Sequence, residues 1–239
     1  MLFGGAFAKN ASPIILALDT PEVETAQRWI SATNEVVKTY KAGLEFFLKH
    51  GSEGIARLHE AGDFDLFLDL KLHDIPNTVA SAAKSVSGIN PRFLTVHASG
   101  GTEMVNAAAE ALPHVDITAV TILTSLSDAS LREIGFVNKA LESAVQLAKL
   151  SVAAGAKAIV CSPLEVSAIR DAVGPTPTII TPGVRPAGSA LGDQARVMTP
   201  MDAISAGSTY LVIGRPITSL ISSELMLDKA REISDSITQ

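Results

Sequence analysis

The sequence predicts an α/β protein, a single (β/α)8 or TIM barrel, and three observations carry that prediction. Eight short aliphatic or β-branched runs recur along the 239 residues, longer segments of helical pattern separate them, and nearly every run closes on a polar residue. Alternating strand and helix patterns point to a parallel sheet with crossover helices, and eight such units are the number that closes into a barrel. A doubly wound open sheet is the competing architecture. It fits less well, because no GxGxxG follows the first strand and no shift in composition marks a second domain.

Taken in order, the strands are IILALD from Ile14, ending on Asp19; VVKTYKAG from Val36, with Lys41 near its end; and LFLDLK from Leu66, with Asp69 and Lys71. FLTVHASG from Phe93 carries His97, ITAVTILTS from Ile117 reaches Thr124 and Ser125, and AIVCSP from Ala158 reaches Ser162. TIITPGV from Thr178 leads into Arg185, and YLVIG from Tyr210 into Gly214 and Arg215. Segments such as PEVETAQRWISATN, TEMVNAAAEAL and ALESAVQLAKLSVAAG lie between them with helical spacing. The expected organisation is one domain over residues 1–239. Residues 1–12 read as a loose lead-in, since MLFGGAFAKNAS lacks the basic leader and full apolar stretch of a signal peptide.

Composition narrows the class of function. With 47% hydrophobic and 18% charged residues the chain has material for a large core and none of the bias of a disordered segment. A net charge of -6 and a pI near 5.4 argue against a nucleic-acid surface, so an anionic ligand has to be met by local groups. The single Cys161 excludes an internal disulfide or a multi-cysteine metal site and suits a reducing cytoplasm, with its thiol packed in the core. No apolar run approaches the roughly 18 residues of a membrane span, so the mean hydropathy of +0.30 reflects many short buried strands and a soluble, cytoplasmic protein is expected.

The third strand poses the chemical question. Its period of two places Asp69 and Lys71 on one face and Leu68, Leu70 and Leu72 on the other, so charges point into a barrel whose other strands are apolar. Ile75 precedes a proline and Pro76 suits a first helical turn, which leaves Asp74 in a loop at the barrel mouth. Lys41, from the neighbouring strand, falls beside Asp69. A salt bridge kept for stability alone is the competing reading, but buried pairs often fail to recover their desolvation cost. Carboxylates around lysines favour the protonated ammonium, the state a proton donor needs. At 4 Å and an effective dielectric near 20, each opposite pair attracts by roughly 4 kcal/mol, so the array could stabilise a developing charge.

The last two strands bring glycine and arginine to the mouth in TPGVRP and IGRPI, where barrels commonly hold phosphate. Gly214 lets a backbone N–H approach an anion and Arg215 adds a planar charged fork, while Arg185 and Gln194 from GSALGDQARVMTP are placed to close over the same group. Surface solubility is the plainer reading of the arginines, and of Gln194 alone. Thr124 and Ser125 in TILTS offer hydroxyls to an imide edge or a cap to a helix, and the sequence does not choose between the two residues. His50, His59 and His114 read as surface residues, His97 as a half-buried satisfied one, and Trp29 as core; His73 and His97 alone do not make a metal site.

Together these motifs resemble the orotidine 5'-phosphate decarboxylase family, over nearly the whole chain: LALD, YKAGLEFF, LDLKLHDIPNTV, VHASGG, VTILTS, TPGVRP, GDQARVMTP and VIGRPI. DLKLHDIPNT matches the family's DxKxxDI signature. The resemblance implies decarboxylation of orotidine 5'-phosphate to UMP and CO2, the last step of de novo pyrimidine nucleotide synthesis, without cofactor or metal. It implies that Lys71 protonates C6 of the pyrimidine within an array of Lys41, Asp69, Lys71 and Asp74. Asp19 and Lys41 would hold the ribose, Thr124 the base edge, and Arg185, Gln194, Gly214 and Arg215 the 5'-phosphate. It further implies a homodimer in which Asp74 and Thr78 reach the neighbouring site.

Three alternatives remain. A magnesium-dependent sugar-acid-phosphate decarboxylase shares the DxKxxD core, but HDIPNT and TILTS favour a nucleotide. A Schiff-base aldolase would need a lysine depressed toward neutrality, against the flanking carboxylates. A noncatalytic nucleotide-binding barrel has no need of the intact lysine and aspartate set.

Overall fold

The computed structural model describes residues 12–184 and 198–238. Eight parallel strands close in sequence order: β1 Ile14–Ala17, β2 Thr39–Gly43, β3 Asp65–Leu72, β4 Phe93–His97, β5 Asp116–Val120, β6 Ala158–Val160, β7 Thr178–Thr181 and β8 Tyr210–Ile213, with β8 pairing back onto β1. The described helices are α1 Val23–Thr33, α2 Leu44–His59, α3 Pro76–Ser85, α4 Gly101–Ala111, α5 Asp128–Glu133, α6 Ala140–Ala153, α7 Val166–Val173, α8 Pro200–Ser205, α9 Arg215–Thr218 and α10 Ser223–Thr238. The predicted (β/α)8 barrel is therefore the observed fold. Among the described residues no helix is long and apolar enough to cross a membrane.

Strand periodicity divides the core into two layers. Outward-facing Ile14, Leu16, Tyr40, Ala42, Leu66 and Leu68 meet the apolar faces of the helices in one continuous cluster, against which Leu70 and Leu72 also pack. Inward-facing Ile15, Phe67, Phe93, Ala158, Ile180 and Tyr210 form a separate plug inside the barrel. Phe93 stands edge-on to both Phe67 and Tyr210 at 5.8 Å, and the Arg92 guanidinium, paired with Asp65, lies 5.0 Å from the Phe93 ring centroid. Such rings contribute about 1.5–3 kcal/mol each by burial, with edge contacts adding to it. Above this plug the inward positions change character, and the charges begin.

Two local features place the site. Ile75 is extended (φ -58°, ψ 152°) and Pro76 opens α3, as the proline geometry predicts, so Asp74 lies in the loop before the helix. The β5 ladder stops at Val120, with Thr121 N–H bonding to the Val160 carbonyl, because β6 itself ends at Val160. The sequence run from Ile117 reads straight on to Ser125. In the structure, Thr124 and Ser125 belong to the loop beyond the strand.

Candidate active site

Asp19, just beyond β1, and the charged residues of β2 and β3 meet at the carboxyl end of the barrel. The β2–β3 register sets Gly43 opposite Asp69, so the side chain of Lys41, two residues earlier on the same face, rises to the level of the carboxylate. Lys41 Nζ lies 2.9 Å from Asp19 Oδ1 and 3.7 Å from Asp69 Oδ2. Lys71 Nζ lies 2.8 Å from both Asp69 oxygens. Gly43 leaves room for this: a Cβ there would stand 3.3 Å from Lys41 Nζ.

The electrostatics follow from that geometry. Burial pushes the Lys41 ammonium down, but Asp69 and Asp19 together outweigh it and raise its ionisation above the ordinary lysine value. Burial pushes the Asp69 carboxyl up, and Lys41, Lys71 and the hydrogen bonds from Lys71 and Thr95 hold it below the ordinary carboxylate value. An ionised Asp69 between two ammonium groups is the stable state. A lysine held charged in this way opposes the Schiff-base alternative at Lys41.

The end of β3 is irregular. Leu68 pairs with Leu94 and Leu72 with Val96, so four steps along β3 match two along β4, and Lys71 sits at φ +48°. A non-glycine residue there is costly, of order 1–3 kcal/mol, and persists when its surroundings fix it. What fixes it is Thr95, fully buried on the inward face of β4. Its Oγ1 accepts from the Lys71 N–H at 2.8 Å and donates to Asp69 Oδ1 at 3.0 Å. Sequence reasoning missed Thr95, which reads as an ordinary β-branched strand residue; its inward position, in alternation with Phe93 and His97, was the available signal.

The array lines one side of a cavity of about 290 Å³. That is close to the lower end of the roughly 300–1,000 Å³ range of ligand pockets. Gly214 and Arg215 line the cavity from the end of β8, and Thr124 from the loop after β5; Ser125 is exposed and is not among its walls. Phe67, Val120, Val160 and Val212 supply an apolar floor. Arg185 and Gln194 lie outside the described residues. Asp74 and Thr78 are exposed and do not line this cavity. A second opening of about 150 Å³ reaches Lys41, Asp69 and Lys71 from the flank, between Thr20 and Leu44–Phe46.

Cys161 is buried in the cavity wall, where burial pushes its thiol up, in keeping with a packing role. His97 is half-buried beside His73, their ring centroids 5.3 Å apart; burial, then His73 and Lys71, hold its ionisation below the usual histidine value. Among the described residues no three His, Cys, Asp or Glu side chains gather as metal ligands.

Fold and site thus define a (β/α)8 barrel that presents a preformed acid–lysine array to a small-molecule cavity at its mouth. The model of the orotidine 5'-phosphate decarboxylase / HUMPS family matches residues 12–220. Orotidine 5'-phosphate decarboxylase of Thermobifida fusca is 56% identical over 208 residues, covering 87% of this chain and 89% of the relative. The enzyme of the same name from Anaeromyxobacter sp. strain K is 49% identical over 210 residues, covering 87% and 92%. Among solved structures, orotidine 5'-phosphate decarboxylase from Lactobacillus acidophilus superposes with a TM-score of 0.80 at 34% identity, over 94% of this chain and 99% of that one. The counterpart from Pyrococcus horikoshii gives 0.75 at 25% identity, over 95% and 99%. The chain belongs to the orotidine 5'-phosphate decarboxylase / HUMPS family.

Proposed function

We propose that this protein decarboxylates orotidine 5'-phosphate to UMP and CO2, in pyrimidine nucleotide synthesis, using its own side chains and no cofactor. The observation that carries the reading is the Lys41–Asp69–Lys71 array, held within 3.7 Å contacts on one wall of a cavity whose rim carries Gly214 and Arg215. The names of its relatives, at up to 56% identity over most of both chains, agree with it.

In this reading the C6–carboxylate bond breaks and leaves its electron pair on C6. Lys71 stabilises that charge as an ammonium and donates the proton that forms the new C6–H bond. Asp69 orients Lys71 and stands near the departing carboxylate. Asp19 and Lys41 take the ribose hydroxyls, Thr124 takes the base edge, and Gly214 with Arg215 holds the 5'-phosphate, helped by Arg185 and Gln194. Phosphate binding remote from C6 then contributes through orientation, since only interactions that strengthen in the transition state raise kcat.

The protein works as a cytoplasmic homodimer in this reading, with Asp74 and Thr78 of each protomer entering the flank opening of the other. Their exposure, and that of Ile75 between them at 66%, supports the arrangement, as does the access of that opening to all three central charges.

The test is loss of orotidine 5'-phosphate absorbance with purified protein, with and without EDTA. Expected is EDTA-insensitive turnover that falls at least about 10³-fold in Lys71→Ala, within the range a positioned proton donor contributes. Turnover that requires added magnesium would favour the sugar-acid-phosphate alternative, and tight UMP binding without turnover a binding protein.

A further inference from the structure

We infer that Thr95 is a positioning residue for the reaction: its buried hydroxyl clamps the irregular end of β3 so that Lys71 and Asp69 are presented to the cavity in one fixed arrangement. The inference rests on the decarboxylase reading of the site and goes beyond it, to a residue that touches neither cavity nor substrate.

The argument is one of geometry. In a regular parallel pair the Lys71 N–H would find a carbonyl on β4, but the two extra residues between Leu68 and Leu72 carry it out of the ladder. Thr95 Oγ1 replaces that carbonyl at 2.8 Å. The same oxygen has one proton, and it goes to Asp69 Oδ1 at 3.0 Å. One hydroxyl therefore ties the backbone of the proton donor to the carboxylate that holds the proton donor's ammonium at 2.8 Å. Three hydrogen bonds, Lys71 N–H to Thr95 Oγ1, Thr95 Oγ1–H to Asp69 Oδ1 and Lys71 Nζ–H to Asp69 Oδ1, form a loop that the lysine side chain itself closes. It fixes both ends of Lys71, the strained backbone at φ +48° and the ammonium. Valine, of nearly the same shape, would leave a half-buried N–H without its acceptor and a buried carboxylate short of one donor.

The experiment compares steady-state kinetics of wild type, Thr95→Val, Thr95→Ala and Thr95→Ser with orotidine 5'-phosphate, alongside thermal unfolding and hydrogen exchange of the Lys71 amide. Thr95→Val and Thr95→Ala should lower kcat at least about tenfold with KM changed by less than about threefold, and Thr95→Ser should stay within about threefold of wild type on both. The Lys71 amide should lose protection in the first two variants and keep it in the third. A fall in Tm with wild-type kcat, or a loss confined to KM, would reduce Thr95 to a structural residue and overturn the inference. If wild type itself does not turn over orotidine 5'-phosphate, the decarboxylase reading fails and amide exchange still judges the clamp: unchanged protection in Thr95→Val overturns it, and lost protection that Thr95→Ser restores upholds it.

Discussion

At the scale of the residue, Asp69 is where burial and charge compete, and the outcome sets a pH dependence. Its folded-state ionisation lies below the ordinary carboxylate value because Lys41, Lys71 and two hydrogen bonds outweigh burial. A carboxyl with a lower pKa folded than unfolded binds more protons when unfolded, so its contribution is complete above about pH 4 and is lost as pH falls through the folded value. Asp69→Asn should therefore show a shallower loss of stability below about pH 4 than wild type, measured by circular dichroism on acid titration. Equal slopes would mean that the array does not stabilise the fold through Asp69. These charges were legible in the sequence because a strand's period of two assigns each residue a face, and a charge on an inward face stands out. The face of Thr95 was legible by the same alternation, but its role was not, nor was that of Gly43. Threonine is common in strands, and the value of Gly43 is the space a Cβ would take 3.3 Å from Lys41 Nζ, a three-dimensional proximity that no one-dimensional pattern holds.

At the scale of the element, all eight strands were legible as apolar runs, while their ends were not. A run of β-branched residues extends as far as composition allows, whereas a strand stops where its neighbour stops, as β5 does at the end of β6. The irregularity at the end of β3 was hidden for a similar reason: LFLDLKL alternates without a break, and the mismatch exists only relative to β4. The end of β8 was the more readable case, since Gly214 followed by Arg215 at a strand end carries its own chemistry. There a Cβ on residue 214 would stand 3.4 Å from Ala17 Cβ, so the turn is packed against β1, which also ends in the site. Arg215, at the start of α9, should accordingly matter through kcat/KM: Arg215→Ala is expected to lower it by about 10²-fold or more, the range for truncating one partner of a charge pair. Near-normal kcat/KM would remove the phosphate assignment from this end of the barrel.

At the scale of the whole molecule, the central charges come from a contiguous stretch of the barrel, β1 to β3, with the rim residues Gly214 and Arg215 closing the circle at β8. Asp74 and Thr78 stand outside that circle on the protomer's surface, so the proposed dimer has a direct genetic signature. Mixtures of Lys71→Ala and Asp74→Asn, each nearly inactive alone, should regain activity when unfolded together and refolded, because some sites then draw all their residues from intact partners. Failure to regain it, with both variants folded and dimeric by sedimentation, would confine each site to one chain. The floor of the barrel carries a further consequence. With Phe67, Phe93 and Tyr210 interlocked and Arg92 laid across two of the rings, the described residues stopper the barrel interior from below. Substrate, nucleotide product and the released gas therefore come and go at the carboxyl end of the barrel, by its mouth or by the flank opening between Thr20 and Leu44–Phe46, and never through its floor.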